Sequence, residues 1–190
     1  MDAVAALRQG LPVLLPTDTV YGLASAPGEE AARRLYELKG RSREQPTAIL
    51  AATLEALLEA VPELPRDLLA KLLPGPYTLV LANPARRFPW LTGGEPGRIG
   101  VRVPVLPAPT GEIVGRRGVV LATSANDPGG PNPASLDDVP RRIRDGCGAE
   151  VDIGPLPGTP STVLDLSGAE PRVLREGAVP ASEALDRLRA

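Results

Sequence analysis

The apolar residues of this chain follow two rhythms that take turns along its length. Leu54, Leu57, Leu58 and Val61 recur at the i, i+3, i+4, i+7 spacing of one helix face, and Leu68, Leu69, Leu72 and Leu73 repeat the stripe after Pro65. Between such stretches lie short apolar runs of strand length. The pattern predicts helices near 2–9, 28–38, 53–61, 65–73, 135–145 and 181–189. It predicts strands near 12–16 and 47–51, and further strands in YTLVLAN, RIGVRVP, GVVLAT, AEVDIG, STVLDL and RVLRE. Alternating strands and helices, with hairpin-like spacing late in the chain, read as an α/β (α+β) fold built on a mixed sheet. No repeat, heptad or Gly/Ser linker divides residues 1–190, which read as one domain.

Polar residues gather where these runs end. LPTDTVYGLA follows the first strand and sets Thr17, Asp18, Thr19 and Tyr21 at a strand end, the usual place for a site in α/β proteins. Asp18 reads as a base, as a ligand to a metal through water or, by preference, as the cap of that turn, and Tyr21 as packing behind it. LKGRSREQP crowds Lys39, Arg41 and Arg43 at a helix exit, either to offset the helix dipole or to present positive charge to phosphates in the cleft of Thr17–Thr19. In RIGVRVP, Arg98 and Arg102 point to one face of a strand, which is either a solvated edge or the bed of an anionic ligand. VVLATSANDPGG brings Thr123, Ser124 and Asn126 to a strand end, PGTPSTVLDL adds Ser161 and Thr162, and LREG adds Arg175.

Composition narrows the chemistry. There is no histidine, so imidazole acid–base catalysis, histidine zinc sites and serine–histidine triads are excluded. Cys147 is the only cysteine, which rules out an internal disulfide, and its setting in DGCGAE offers no histidine to activate it. A net charge of -2 does not mark a general nucleic-acid binder. No secretory signal is recognisable in MDAVAALRQG, and no apolar run reaches membrane-spanning length, so the expected compartment is the cytoplasm. Neither GxxxxGK nor GxGxxG occurs. Hydroxyl and cation clusters at five element ends then point to one shared anionic pocket of nucleotide size.

In their order and spacing, PTDTVYGL, LKGR, PGPYTLVL, VRVP, TSAN, STVLDL and LREG resemble the YrdC-like family, whose members are threonylcarbamoyl-AMP synthases. The resemblance spans roughly residues 11–180. It implies a twisted mixed sheet around a concave basic pocket, in the short form without a further C-terminal domain. It also implies a reaction in which L-threonine, bicarbonate or CO2, and ATP give threonylcarbamoyl-AMP and pyrophosphate, with Mg2+ escorting the triphosphate. Partner proteins would then transfer the group to tRNA. By match to the motifs, Lys39 and Arg41 would bind the phosphates and carry the catalysis. Gln45, Arg98, Ser124, Asn126 and Arg175 would line the nucleotide site, while Thr19, Arg102 and Ser161 would bind threonine; no residue would be a metal ligand. The chain departs from the family at Ser42, and at Leu50, which falls at or near a histidine that helps hold threonine. Two alternatives follow: a relative that adenylates another carbamate, or a factor that binds tRNA or double-stranded RNA through RRIR at 141–144 and the Arg116–Arg117 pair.

Overall fold

The computed structural model describes residues 1–189. Among the described residues nine strands form one sheet: β1 (Val13–Pro16), β2 (Tyr21–Ser25), β3 (Ala48–Ala51), β4 (Tyr77–Ala82), β5 (Arg98–Arg102), β6 (Val119–Ser124), β7 (Ala149–Glu150), β8 (Thr162–Asp165) and β9 (Arg172–Arg175). Their spatial order is β7-β1-β2-β6-β3-β5-β4-β8-β9. The sheet is mixed as expected: β3 runs parallel to β5, and β4 to β8, while β2–β6, β3–β6 and β4–β5 are antiparallel.

The helices are α1 (Ala3–Arg8), α2 (Glu29–Lys39), α3 (Leu54–Ala60), α4 (Arg66–Ala70), α5 (Ala108–Gly115), α6 (Arg141–Asp145) and α7 (Ala181–Arg189). Local chemistry sets several of their ends. Asp2 and Thr53 accept backbone N–H groups at the starts of α1 and α3, and α2 stops at Gly40, whose φ of 66° is the left-handed turn that glycine favours.

The two faces of the sheet are covered unequally. One carries the main core, where Leu23, Ile49, Leu79, Val101, Leu121 and Leu164 pack against residues of α2, α3, α4, α6 and α7. On the other, α1 and α5 cover only one end, burying Val13, Leu15, Ala24, Leu50 and Val120 beneath Leu7 and Val114. The rest of that face stays open. Its floor is hollow because small residues stand in register across three strands: Ala122 opposite Ala48, and Ala48 opposite Gly100.

Several sequence expectations need correction. Residues 21–25 form an internal strand that was not foreseen, and residues 108–115 form a helix where none was expected. The helix expected over 135–145 is a 3-10 turn at Leu136–Asp138 followed by α6, separated at Pro140, whose ring cannot continue a helix begun upstream. In AEVDIG only Ala149 and Glu150 pair as a strand.

Candidate active site

The open face holds a cavity of about 470 Å³, within the range of small-molecule sites. Its floor is Ala48, Gly100 and Ala122, and its walls carry Thr19, Arg41, Thr78, Arg98, Arg102, Thr123, Ser124, Ser161, Asp165 and Arg175. β5 lies between β3 and β4. Its alternation therefore turns Arg98 and Arg102 into the cavity and buries Ile99 and Val101 on the other face. The edge-strand reading of this alternation is thus excluded.

The four arginines are held differently. Arg102 is only 11% exposed and forms an ion pair at 3.0 Å with Asp18, itself 10% exposed. Its Nη2 also reaches the Thr19 hydroxyl at 3.4 Å, and its Nε is buried without a partner among the described residues. Arg98 lies 3.6 Å from Asp165 and 3.3 Å from Glu95. Burial favours the neutral form of Asp165, but the Arg172 guanidinium, the Ser167 hydroxyl and amide, and Arg98 outweigh it and hold the carboxyl down to about 2. Arg41 donates to the Thr123 hydroxyl at 3.1 Å and the Pro46 carbonyl at 2.7 Å, and Arg175 donates to the Ser161 carbonyl at 2.8 Å. Neither Arg41 nor Arg175 has a carboxylate partner among the described residues, so their charge remains available to an anion.

Lys39 is placed differently from expectation. It is 3% exposed and lies behind the cavity wall, where its ammonium donates to the carbonyls of Ser124 at 2.5 Å and Asn126 at 2.7 Å and to Asn126 Oδ1 at 2.9 Å. Asn126 Oδ1 also accepts from the Ser124 hydroxyl at 2.6 Å, and Asn126 Nδ2 donates to the Gly130 carbonyl. TSAN is therefore a loop wrapped around one buried cation. Burial, with Arg41 and Arg142 nearby and Asp127 opposing them, pushes the Lys39 ammonium down to about 8.

Of the residues singled out in the sequence, Thr19, Arg41, Arg98, Arg102, Ser124, Ser161 and Arg175 meet at the cavity, whereas Lys39, Gln45 and Asn126 stand outside its lining. Gln45 accepts the Tyr36 hydroxyl through its backbone carbonyl at 3.1 Å. Tyr21 packs in the main core and donates to Asp152 at 2.7 Å. Leu50 is 2% exposed and stands in register with Arg102, at the border between the α1/α5 core and the cavity. Thr78, Asp165 and Asn132 were missed, although the alternation of YTLVLA already put Thr78 and Val80 on one face. Nearby, Thr78 Oγ1 and Ser161 Oγ share a hydrogen bond of 2.8 Å.

The Ser161 end depends on one close approach. A Cβ on Gly177 would come within 2.2 Å of the Pro160 carbonyl and 2.6 Å of the Ser161 carbonyl. Gly177→Ala is therefore expected to displace the Pro160–Ser161 wall and to lower stability by about 1–3 kcal/mol. Urea unfolding measures that loss; a midpoint equal to wild type would show that the wall yields freely.

A family model named Sua5/YciO/YrdC and described as "Telomere recombination" matches residues 5–177. The chain belongs to this family. Among its relatives, a putative threonylcarbamoyl-AMP synthase of Mycobacterium tuberculosis is 35% identical over 184 residues, covering 94% of this chain and 84% of that protein. Solved structures agree on the fold. Pyrococcus abyssi Sua5 complexed with L-threonine superposes with a TM-score of 0.86 at 33% identity, covering 97% of this chain and 56% of that one, so this chain spans little more than half of that protein. Escherichia coli YciO superposes at 0.78 with 27% identity, covering 94% and 88% of the two chains. The sheet and concave face expected from the Sua5/YciO/YrdC motifs are thus those observed.

Proposed function

We propose that this chain is a threonylcarbamoyl-AMP synthase, with the cavity over Ala48, Gly100 and Ala122 as its active site. The observation that carries this reading is a nucleotide-sized cavity walled by four arginines and several hydroxyls, in a member of the Sua5/YciO/YrdC family. The chemistry needs no enzyme nucleophile. The amine of threonine adds to CO2 to give a carbamate; a carbamate oxygen then attacks the α-phosphorus of ATP, and the bond to the β-phosphate bridging oxygen breaks to release pyrophosphate. Both reactants are anions, so the protein must hold them together and offset their charge.

In this reading Arg102, with Thr19 and Ser161 beside it, takes the carboxylate end of threonine. Arg41 and Arg175, whose charges are unmatched by carboxylates, flank the polyphosphate, with Arg98 and Ser124 along the nucleotide. Lys39 and Asn126 act from behind, by shaping the loop that presents Ser124. Mg2+ enters with the triphosphate: among the described residues no group of three or more histidine, cysteine or acidic side chains stands ready to hold a metal. Two of the cavity acids, Glu95 and Asp165, face Arg98 instead. The product would pass to proteins that transfer the threonylcarbamoyl group to tRNA, a setting consistent with the cytoplasm. Among the described residues no helix is long and apolar enough to cross a membrane.

The RNA-factor alternative has less support. Arg142 is engaged by Asp127 and by the carbonyls of Leu38 and Lys39, and Arg144 by Glu150 at 2.9 Å and Asp137 at 3.3 Å. These guanidinium groups are already committed within the protein, which weakens their claim on a phosphate backbone.

Pyrophosphate release from ATP, with Mg2+ and bicarbonate, is the direct test. Release is expected to require L-threonine and bicarbonate together and to fall when L-serine replaces threonine. Serine or another amino acid serving better would assign a different carbamate, and release indifferent to every amino acid would remove the synthase reading.

A further inference from the structure

Threonine enters as an ammonium ion, and an ammonium nitrogen has no lone pair with which to attack CO2. A proton must leave first. The chain has no histidine to take it, and Lys39 has all three of its N–H bonds committed to the TSAN loop. The remaining candidates around the cavity are carboxylates.

Four of them stand at or beside it, and three are unsuited. Glu44 and Glu95 are exposed, and Glu95 faces Arg98. Asp165 is buried but saturated by Arg172, Ser167 and Arg98, and at about 2 it is too weak a base. Asp18 differs. Its Oδ1 accepts from Arg102 Nη2 at 3.0 Å and from the Thr19 hydroxyl at 3.3 Å, both cavity-wall groups, while its Oδ2 is buried with no partner among the described residues.

We propose that Asp18, reached through the hydroxyl of Thr19, accepts the ammonium proton of the amino-acid substrate. The inference rests on the synthase reading, in which Arg102 holds the substrate carboxylate. The ammonium of an α-amino acid lies one carbon from that carboxylate, and hence beside Thr19. An ammonium N–H bond breaks as its proton passes to Thr19 Oγ1, while the hydroxyl's own proton moves to Asp18 Oδ1. The freed lone pair forms the N–C bond with CO2, and the second nitrogen proton leaves to water, giving the carbamate. Protonating Asp18 also releases Arg102 from its internal counter-charge at the step when the substrate acquires a second negative charge.

The electrostatics agree with this geometry. Burial raises Asp18 above the ordinary carboxylate range, against the lowering effects of Arg102 and of hydrogen bonds from Thr19 and Thr17. Arg102 is the charged group facing it, and Arg175 lies beyond as a further cation felt by Arg102. Asp18 and Asp165 are thus two buried carboxyls pushed in opposite directions, the division expected between a proton acceptor and a fixed charge.

The test compares wild type, Asp18→Asn and Asp18→Glu by kcat/KM for threonine from about pH 5 to about pH 10. The wild-type value should fall on acidification as Asp18 takes up its proton. Asp18→Asn should lose about 10²-fold near neutrality and lack that acid limb. Asp18→Glu should restore part of the activity. Thr19→Val against Thr19→Ser provides a second route that leaves the Asp18–Arg102 pair intact: the valine variant should show the same loss and the serine variant should not. A threonine-dependent wild type whose Asp18→Asn variant keeps both the rate and the acid limb would overturn this inference alone. A wild type without threonine-dependent release would overturn it together with the synthase reading.

Discussion

Arg102→Met is expected to lower stability by about 3–5 kcal/mol and to abolish threonine-dependent pyrophosphate release. The stability loss arises from what remains. Asp18 is 10% exposed and has Arg102 as its ion-pair partner, so methionine would leave a buried carboxylate with no counter-charge. The deficit should depend on pH with a definite sign. In the variant the folded-state value of Asp18 is raised still further, so the folded protein holds a proton that the unfolded chain has released. The deficit therefore builds as pH rises through the unfolded carboxylate value of ~3.9 and on to the raised folded value, and it is absent at lower pH. Urea unfolding of the variant near neutrality and in acid checks this directly. Adding Asp18→Leu to Arg102→Met should recover most of the stability without recovering turnover, which separates the cost of an orphaned charge from the loss of a ligand for the substrate carboxylate. An Arg102→Met protein as stable and active as wild type would remove Arg102 from both roles.

The sequence was most legible where periodicity and chemistry agreed. RIGVRVP declared its two faces by strict alternation, but alternation cannot say whether a polar face meets solvent or a cavity. That depends on β3 and β4 flanking the strand, a long-range pairing invisible in a local window. β2 was missed because Tyr21–Ser25 is buried throughout and shows no alternation against the turn before it. α5 was missed because Ala108–Gly115 contains Pro109 and glycines and presents little apolar stripe; its place is fixed tertiarily by Val114 in the α1/α5 core and by Thr110 donating to the Pro16 carbonyl at 2.7 Å. The cavity residues found in advance were charged groups and hydroxyls at element ends. Its hollow floor was not foreseen, because Ala48, Gly100 and Ala122 become a floor only through register. Nor does sequence show whether a lysine at a helix exit points into a cleft or under a loop.

Lys39 is where that last difference can be measured. Lys39→Met should lower stability by about 2–5 kcal/mol, because it leaves the Ser124 and Asn126 carbonyls without the ammonium that donates to them, at about 1–3 kcal/mol for each unsatisfied group, while Asn126 Oδ1 keeps only the Ser124 hydroxyl. Turnover should fall because Thr123 and Ser124 lose the support that holds them on the cavity wall. Lys39→Arg should not rescue it, since three acceptors converging on one point suit an ammonium and not a planar fork. The wild type should also show an alkaline loss of activity near the Lys39 value of about 8, because a neutral amine offers two N–H groups to three acceptors. Its stability should respond in the opposite direction. The folded value lies below the unfolded value of ~10.4, so between the two the unfolded chain binds more protons and the contribution of Lys39 to stability rises with pH. A ligand role gives another pattern: if the ammonium swings out to meet phosphate, Lys39→Met should keep near-wild-type stability and show its defect in KM for ATP. Unfolding and steady-state kinetics on this one variant thus decide whether Lys39 holds the loop or the nucleotide.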